Sequence, residues 1–247
     1  MTRWRASGLH LLASCAIAGT VILLVIFLWY PGAYFQASGA ARLITILIAV
    51  DVVIGPMLTL FLYRAGKPGL AFDMTTVFIT QLAFLIYGLV VIVQTRPVFI
   101  VGAIDRLVVV PASQIDPADL PTDPNDPFRK LSWTGPVSVG LNLPTDVKAR
   151  NELLFKEIAG KPSEAVPRLY VPYSQVAATL IERGRTIDTL RVARERTPGV
   201  LQKWLDGSDR PPEQLLWLPL QARKQDMVVI IDKNNAEPLV ILDIEPW

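Results

Sequence analysis

Few side chains in this sequence are of types that do chemistry, and the one that asks for an explanation is Asp51. It lies in AVDVVIGPML, residues 49–58, four residues before Gly55-Pro56 and inside an otherwise apolar run. A carboxylate in hydrocarbon costs about 2.5 to 3.5 kcal/mol on insertion scales, so polar neighbours must answer it or a partner must use it. The rest of the inventory is sparse. There is one histidine, His10, and one cysteine, Cys15. A Ser or Cys triad needs a histidine beside the nucleophile, and His10 falls at the inner edge of the first apolar run. Zinc sites lack their usual ligands, and no HExxH, phosphate loop or dinucleotide fingerprint occurs. An intramembrane aspartyl protease needs a second carboxylate, and Asp51 is the only acid inside the apolar runs. The residue types predict a protein that is not an enzyme, with no cofactor and no metal.

Three elements must position Asp51. The chain has 247 residues, 51% of them hydrophobic, with a mean hydropathy of +0.39. Runs at 8–30, 41–63 and 74–95 reach the roughly 20 residues that span a bilayer core of about 30 Å. Residues 96–247 hold most of the prolines and charges, so the expected architecture is a three-helix transmembrane anchor, 1–95, followed by a small α+β soluble domain, 96–247. Asp51 lies twelve residues before Tyr63, roughly 18 Å from the inner end of its span. On the third span Tyr87 reaches roughly 20 Å and Gln81 about 10 Å, which makes Tyr87 the better-levelled partner. Thr20 on the first span is at similar height, giving an expected polar cluster of Thr20, Asp51 and Tyr87. Pro56 lacks an N–H and frees the carbonyl of Val52, while Gly55 admits a neighbouring helix, so the second span should kink below the acid. Asp51 then either holds the three helices together or recognises another helix.

Charge gives the orientation. Residues 1–95 carry Arg3, Arg5, Arg42, Arg64 and Lys67 against Asp51 and Asp73. Arg3 and Arg5 precede the first span, and Arg64 and Lys67 fall in the loop before the third. The positive-inside rule therefore places the N-terminus in the cytoplasm and the C-terminal domain outside. Trp4, Trp29, Tyr30, Tyr34, Tyr63 and Phe72 cluster at the expected interfaces. Leu12-Ala13-Ser14-Cys15 is similar to a lipoprotein processing box. Only about six apolar residues precede it, whereas a signal core needs about 7 to 15, so Cys15 reads as a lipid-embedded side chain.

The soluble half opens with RPVFIVGAIDRLVVVP, two short strands separated at Gly102-Ala103. Residues 112–136 are expected to be a solvated, proline-stiffened loop whose Asp116, Asp119, Asp123 and Asp126 lack the spacing of a calcium loop. Helices are expected at about 146–159 with Thr145 as cap and Gly160 as stop, at 174–183, and near Pro198–Leu205. The arginines Arg183, Arg185, Arg191, Arg194 and Arg196 read as a basic solvated face diluted by Glu182, Asp188 and Glu195. A hairpin pairs 226–232 with 239–244. Neither half has the charge of a nucleic-acid binder.

Several blocks, in order, make a resemblance: RWRASGLHLL, WYPGAYF, AVDVVIGPMLTL, GKPGLAFD, QLAFLIYG and RPVFIVGAIDRLVVV, with QARKQDMVVIID nearer the end. Over about the first 110 residues the chain resembles the type IV pilin accessory proteins of the TfpX/TfpZ family. The resemblance implies a multi-pass protein of a Gram-negative inner membrane with its C-terminal domain in the periplasm. It also implies a type IV pilin as partner, alongside other pilus assembly proteins, and a role as chaperone or assembly factor. Asp51, Gly55 and Pro56, with Thr20, Gln81 and Tyr87 nearby, are then the expected partner-binding residues. Two alternatives stay open. One is a membrane-anchored enzyme that modifies pilin or its glycan through a pair of carboxylates in the soluble domain; the other is a structural subunit of a larger inner-membrane complex.

Overall fold

The structure, a computed structural model of the protein, describes residues 1–190, 194–195 and 199–247. Its chain divides into two compact units, residues 1–35 with 39–94, and residues 36–38 with 95–247.

The first unit holds three helices long and apolar enough to cross a membrane: span one, Arg3–Trp29, span two, Ala40–Leu62, and span three, Leu70–Thr95. Span one starts where the Thr2 side chain accepts the Arg5 N–H at 3.3 Å, a helix cap that meets one orphan donor. Span three begins four residues before the expected start, because Asp73 joins its first turn and pairs with Lys67 at 2.5 Å. Toward one end the spans close on a core of Val25, Trp29, Tyr30, Ile44, Leu47 and Ile92. There the Tyr30 hydroxyl donates to the Ile92 carbonyl at 2.8 Å, a buried bond that ties the end of span one to span three. Phe27, Phe61 and Phe78 point outward and are exposed, as side chains that meet lipid must be.

The second unit is a mixed α/β domain. Its strands are β1 (Pro97–Ala103), β2 (Arg106–Pro111), β3 (Val137–Leu141), β4 (Tyr170–Pro172), β5 (Arg185–Thr186), β6 (Arg194–Glu195), β7 (Leu215–Gln221), β8 (Met227–Asp232), β9 (Pro238–Leu242) and β10 (Ile244–Glu245). Eight of them form one sheet in the order β4-β3-β1-β2-β7-β8-β9, with β5 paired to β7; β10 and β6 make a separate pair. Among the described residues two pairings are parallel, β1 with β3 and β2 with β7. β8 is buried along its whole length, which fits its unbroken apolar run MVVII. On one face Leu215, Trp217, Val228 and Ile230 meet Ile187, Leu190 and Leu201 from two short helices, Ile187–Leu190 and Val200–Asp206. Gly102 and Gly140 stand opposite each other in the β1–β3 register. A Cβ on Gly140 would lie 2.7 Å from Val176, and one on Gly102 3.0 Å from Leu180. This bare patch lets the segment leading into helix Ala177–Arg183 sit directly on the sheet.

Several expectations need correcting. The first two strands part at Ile104–Asp105 rather than at Gly102-Ala103, because the Asp105 N–H closes a tight turn on the Ala103 carbonyl with Ile104 at φ 46°. Helix Val147–Ile158 is capped by Asp146, whose carboxylate accepts the Ala149 N–H at 2.9 Å, and not by Thr145. The expected helix at 174–183 is α-helical only over Ala177–Arg183, after a 3-10 turn at Tyr173–Gln175. Strands β3 and β7 lay outside the expectation. The acidic loop is docked and not merely solvated: Asp119 is buried and bridges Lys156 at 3.0 Å and Arg168 at 3.3 Å. Within the basic run, Arg185 stacks over Trp217 with its guanidinium 4.9 Å from the ring centre. Arg191 and Arg196 lie outside the described residues, as does Pro198, the expected start of the last helix.

Candidate functional site

Asp51 sits in a π-helical segment, Ala49–Ile54, within span two. In that register the Gly55 N–H donates to the Val50 carbonyl, five residues back. The next donor would be the N–H of Pro56, which does not exist, so the carbonyl left over is that of Asp51 itself. An α-helical register would orphan the Val52 carbonyl, the expectation that the π-helical segment overturns. The side-chain amide of Gln81, from span three, donates to the Asp51 carbonyl at 3.3 Å. It reaches there because residue 55 is glycine: a Cβ at that position would overlap the Gln81 amide. Gly55, Pro56 and Gln81 thus work as one device, in which the proline leaves an acceptor, the glycine leaves room, and the glutamine fills both.

The Asp51 side chain is only 7% exposed, and its Oδ1 has no hydrogen-bond partner among the described residues. The same is true of Gln81 Oε1, whose amide nitrogen is turned to the backbone. Both residues line a cleft of about 160 Å³, walled on one side by His10, Ser14 and Ile17 of span one and on the other by Phe78 and Leu82 of span three. Ile17, Phe78 and Leu82 are exposed, so the cleft opens sideways between spans one and three. Below it, spans one and two are fastened by polar bonds. The Ser7 hydroxyl donates to the Pro56 carbonyl at 2.8 Å, and His10 Nδ1 lies 2.6 Å from the Thr59 hydroxyl.

Thr20 and Tyr87 are not brought to Asp51. Thr20 is exposed and donates to the Ala16 carbonyl of its own helix at 2.9 Å, and Tyr87 is 70% exposed. The depth ranking that favoured Tyr87 is overturned: span three starts at Leu70, so Gln81 lies eleven residues from its start, level with Asp51 eleven residues from the end of span two at Leu62, and helical phase removes Tyr87 and Thr20. Gln81 and Gly88 are seven residues apart and share a face, where Gly88 receives Leu47. Tyr87, six residues from Gln81, is turned away by about 120°. Thr20 is likewise six residues beyond Ser14, while Ser7, His10 and Ser14 follow the helical spacing of one face. That spacing was present in the sequence and would have found the inner wall of the cleft.

The second unit has an open cleft of about 510 Å³ lined by Arg106, Glu157, Glu164 and Arg223 among others. Glu157 accepts from the Ser163 hydroxyl at 2.5 Å, and Glu164 lies 3.6 Å from the Arg106 guanidinium.

Residues 1–39, which include the inner wall of the membrane cleft, match a family model described as fimbrial assembly protein FimB. Two relatives from Dichelobacter nodosus align along nearly the whole chain. The fimbrial assembly protein of serogroup I is 27% identical over 245 residues, 97% of this chain and 95% of the relative. That of serogroup E1 is 26% identical over 244 residues, with 97% and 95% covered. A third, the fimbrial assembly protein of serogroups C1 and C2, is 31% identical over 119 residues, and those cover 91% of its length and 47% of this chain. The chain belongs to the FimB family of fimbrial assembly proteins. No solved structure matches it. In this FimB-family chain the matched N-terminal segment supplies Ser7, His10 and Ser14, so the family match falls on the residues that grip span two and line the cleft.

Proposed function

We propose that this chain is an inner-membrane accessory protein, a chaperone or assembly factor, for a type IV pilin, as its resemblance to the TfpX/TfpZ proteins implies. The single observation that carries this reading is membership of the fimbrial assembly family in a chain whose three apolar helices enclose a laterally open, mostly apolar cleft holding a buried carboxylate. An assistant to a membrane-borne subunit needs a surface for that subunit's hydrophobic helix and another for its head. The membrane half supplies the first, with Asp51, Gly55 and Pro56 shaping it; the α/β domain, in the periplasm, supplies the second. The positive-inside distribution supports a cytoplasmic N-terminus. Such a role needs no bond chemistry. Asp51→Leu should reduce co-purification of the pilin and surface piliation at least several-fold, with Asp51→Asn intermediate. Undiminished values for both would remove Asp51 from recognition.

A second reading draws on the Glu157 and Glu164 cleft, since two carboxylates beside one opening are the minimum for glycoside or transfer chemistry on pilin. Glu157→Gln with Glu164→Gln would abolish a modification visible as a pilin mass difference; an unchanged pilin mass excludes this reading.

A further inference from the structure

The membrane cleft holds two acceptors that the donors lining it, the Ser14 hydroxyl and the His10 ring, do not meet. Asp51 Oδ1 and Gln81 Oε1 are buried without hydrogen-bond partners among the described residues, and both line the same cleft. Among the described residues no lysine or arginine lines it. Unpaired acceptors in an apolar surround are costly, and a donor entering the cleft recovers that cost. The position of the cleft fixes what can carry the donor. Asp51 stands eleven residues from the end of span two at Leu62, roughly 16 Å along the helix, near the middle of a bilayer core of about 30 Å. A lipid headgroup does not reside there. The mouth lies between exposed Ile17 and Phe78, so the visitor arrives from within the bilayer. A volume of about 160 Å³ holds one side chain and not a helix.

We propose that the cleft takes a single donor-bearing side chain, best a protonated amine, from a partner transmembrane helix lying across its mouth, with Asp51 Oδ1 and Gln81 Oε1 as the two acceptors. This rests on the reading that the membrane half docks a helix, and adds the chemistry by which that helix is chosen. Gly55 and Pro56 act indirectly, by turning the Gln81 amide nitrogen to the backbone so that its oxygen faces the cleft.

The test uses the full chain, with Cys15→Ala and a dye on Ala65→Cys in the loop between spans two and three, reconstituted in phosphatidylcholine vesicles. The probes are leucine-rich transmembrane peptides with one central guest, Lys, Ser or Leu, and association is read by energy transfer. The native cleft should bind the Lys peptide about tenfold more tightly than the Leu peptide, with Ser between. Asp51→Leu combined with Gln81→Leu should bring the three peptides together. Asp51→Asn keeps size and Oδ1 but not charge, and should lower the Lys-to-Leu ratio while sparing the Ser preference. Equal binding of Lys and Leu peptides by the native chain overturns the proposal, as does a Lys preference that survives the double variant or is unchanged in Asp51→Asn. Peptide discrimination without pilin co-purification removes the pilin-docking reading and leaves the cleft; pilin co-purification without peptide discrimination does the reverse.

Discussion

Gly55 shows how much one missing methyl group can organise. The Gln81 amide occupies the space that a Cβ would take, and through it the backbone carbonyl orphaned by Pro56 finds a donor. Gly55→Ala displaces a flexible side chain rather than backbone, so the bundle should survive. The lost bond and the re-orphaned carbonyl together cost about 1 to 3 kcal/mol, measurable as a lower unfolding midpoint in micelles. Gln81→Leu should cost a similar amount and add little to Gly55→Ala, because both remove the same bond. In the soluble domain Tyr170 is the corresponding buried polar residue: its hydroxyl donates to the Glu164 carbonyl, and Phe99 meets its ring edge-on at 5.0 Å. Burial first, and the Glu164 carboxylate second, push its phenol above the ordinary range. An unfolded tyrosine ionises near pH 10, so above that pH the unfolded chain releases a proton that the native one keeps. Stability should therefore fall as pH rises past about 10, and Tyr170→Phe, at a cost of about 1 kcal/mol at neutral pH, should flatten that fall in melting curves taken between pH 8 and 11.

Among the elements, those whose pattern lies in local sequence were legible and those made by long-range pairing were not. Three apolar runs announce three spans, and Gly160 stops helix Val147–Ile158 where expected, at φ 84°. β7 escaped notice because LLWLPLQ holds a proline and no alternation; both its faces are covered, so no polar residue marks a solvent side. β3 is short, and its pairing with β1 is parallel and distant in sequence. In the membrane cleft, Asp51, Gly55 and Pro56 were readable as residues that do not belong in a plain helix. The choice of Gln81 over Tyr87 was not read, because it depends on rotation about the axis as well as on height along it. The paired glycines of β1 and β3 give a prediction at this scale. Gly140→Ala places a methyl group 2.7 Å from the Val176 side chain, closer than packed carbons approach, so the sheet or the segment above it must shift. The expected loss is about 1 to 3 kcal/mol, read as a lowered unfolding midpoint, with Val176→Ala in the same chain restoring part of it.

For the whole molecule, the distribution of charge along the first 95 residues predicts which compartment each segment enters. A phosphatase that is active only outside the cytoplasm should be active when fused after Trp247 or in the loop after span one, and inactive in the loop after span two; an inactive C-terminal fusion would reverse the assignment. Only Arg96 separates span three from β1, and β1 lies inside the sheet, between β3 and β2. The first soluble strand to be synthesised is therefore an interior one, already leashed to a helix in the bilayer, while its parallel neighbour comes some thirty residues later and β4 later still. The β1–β2 hairpin can close as soon as it emerges, giving the remaining strands an anchored template. Later strands then search for their places against a fixed edge rather than in free solution, which shortens the interval in which bare apolar backbone is open to aggregation.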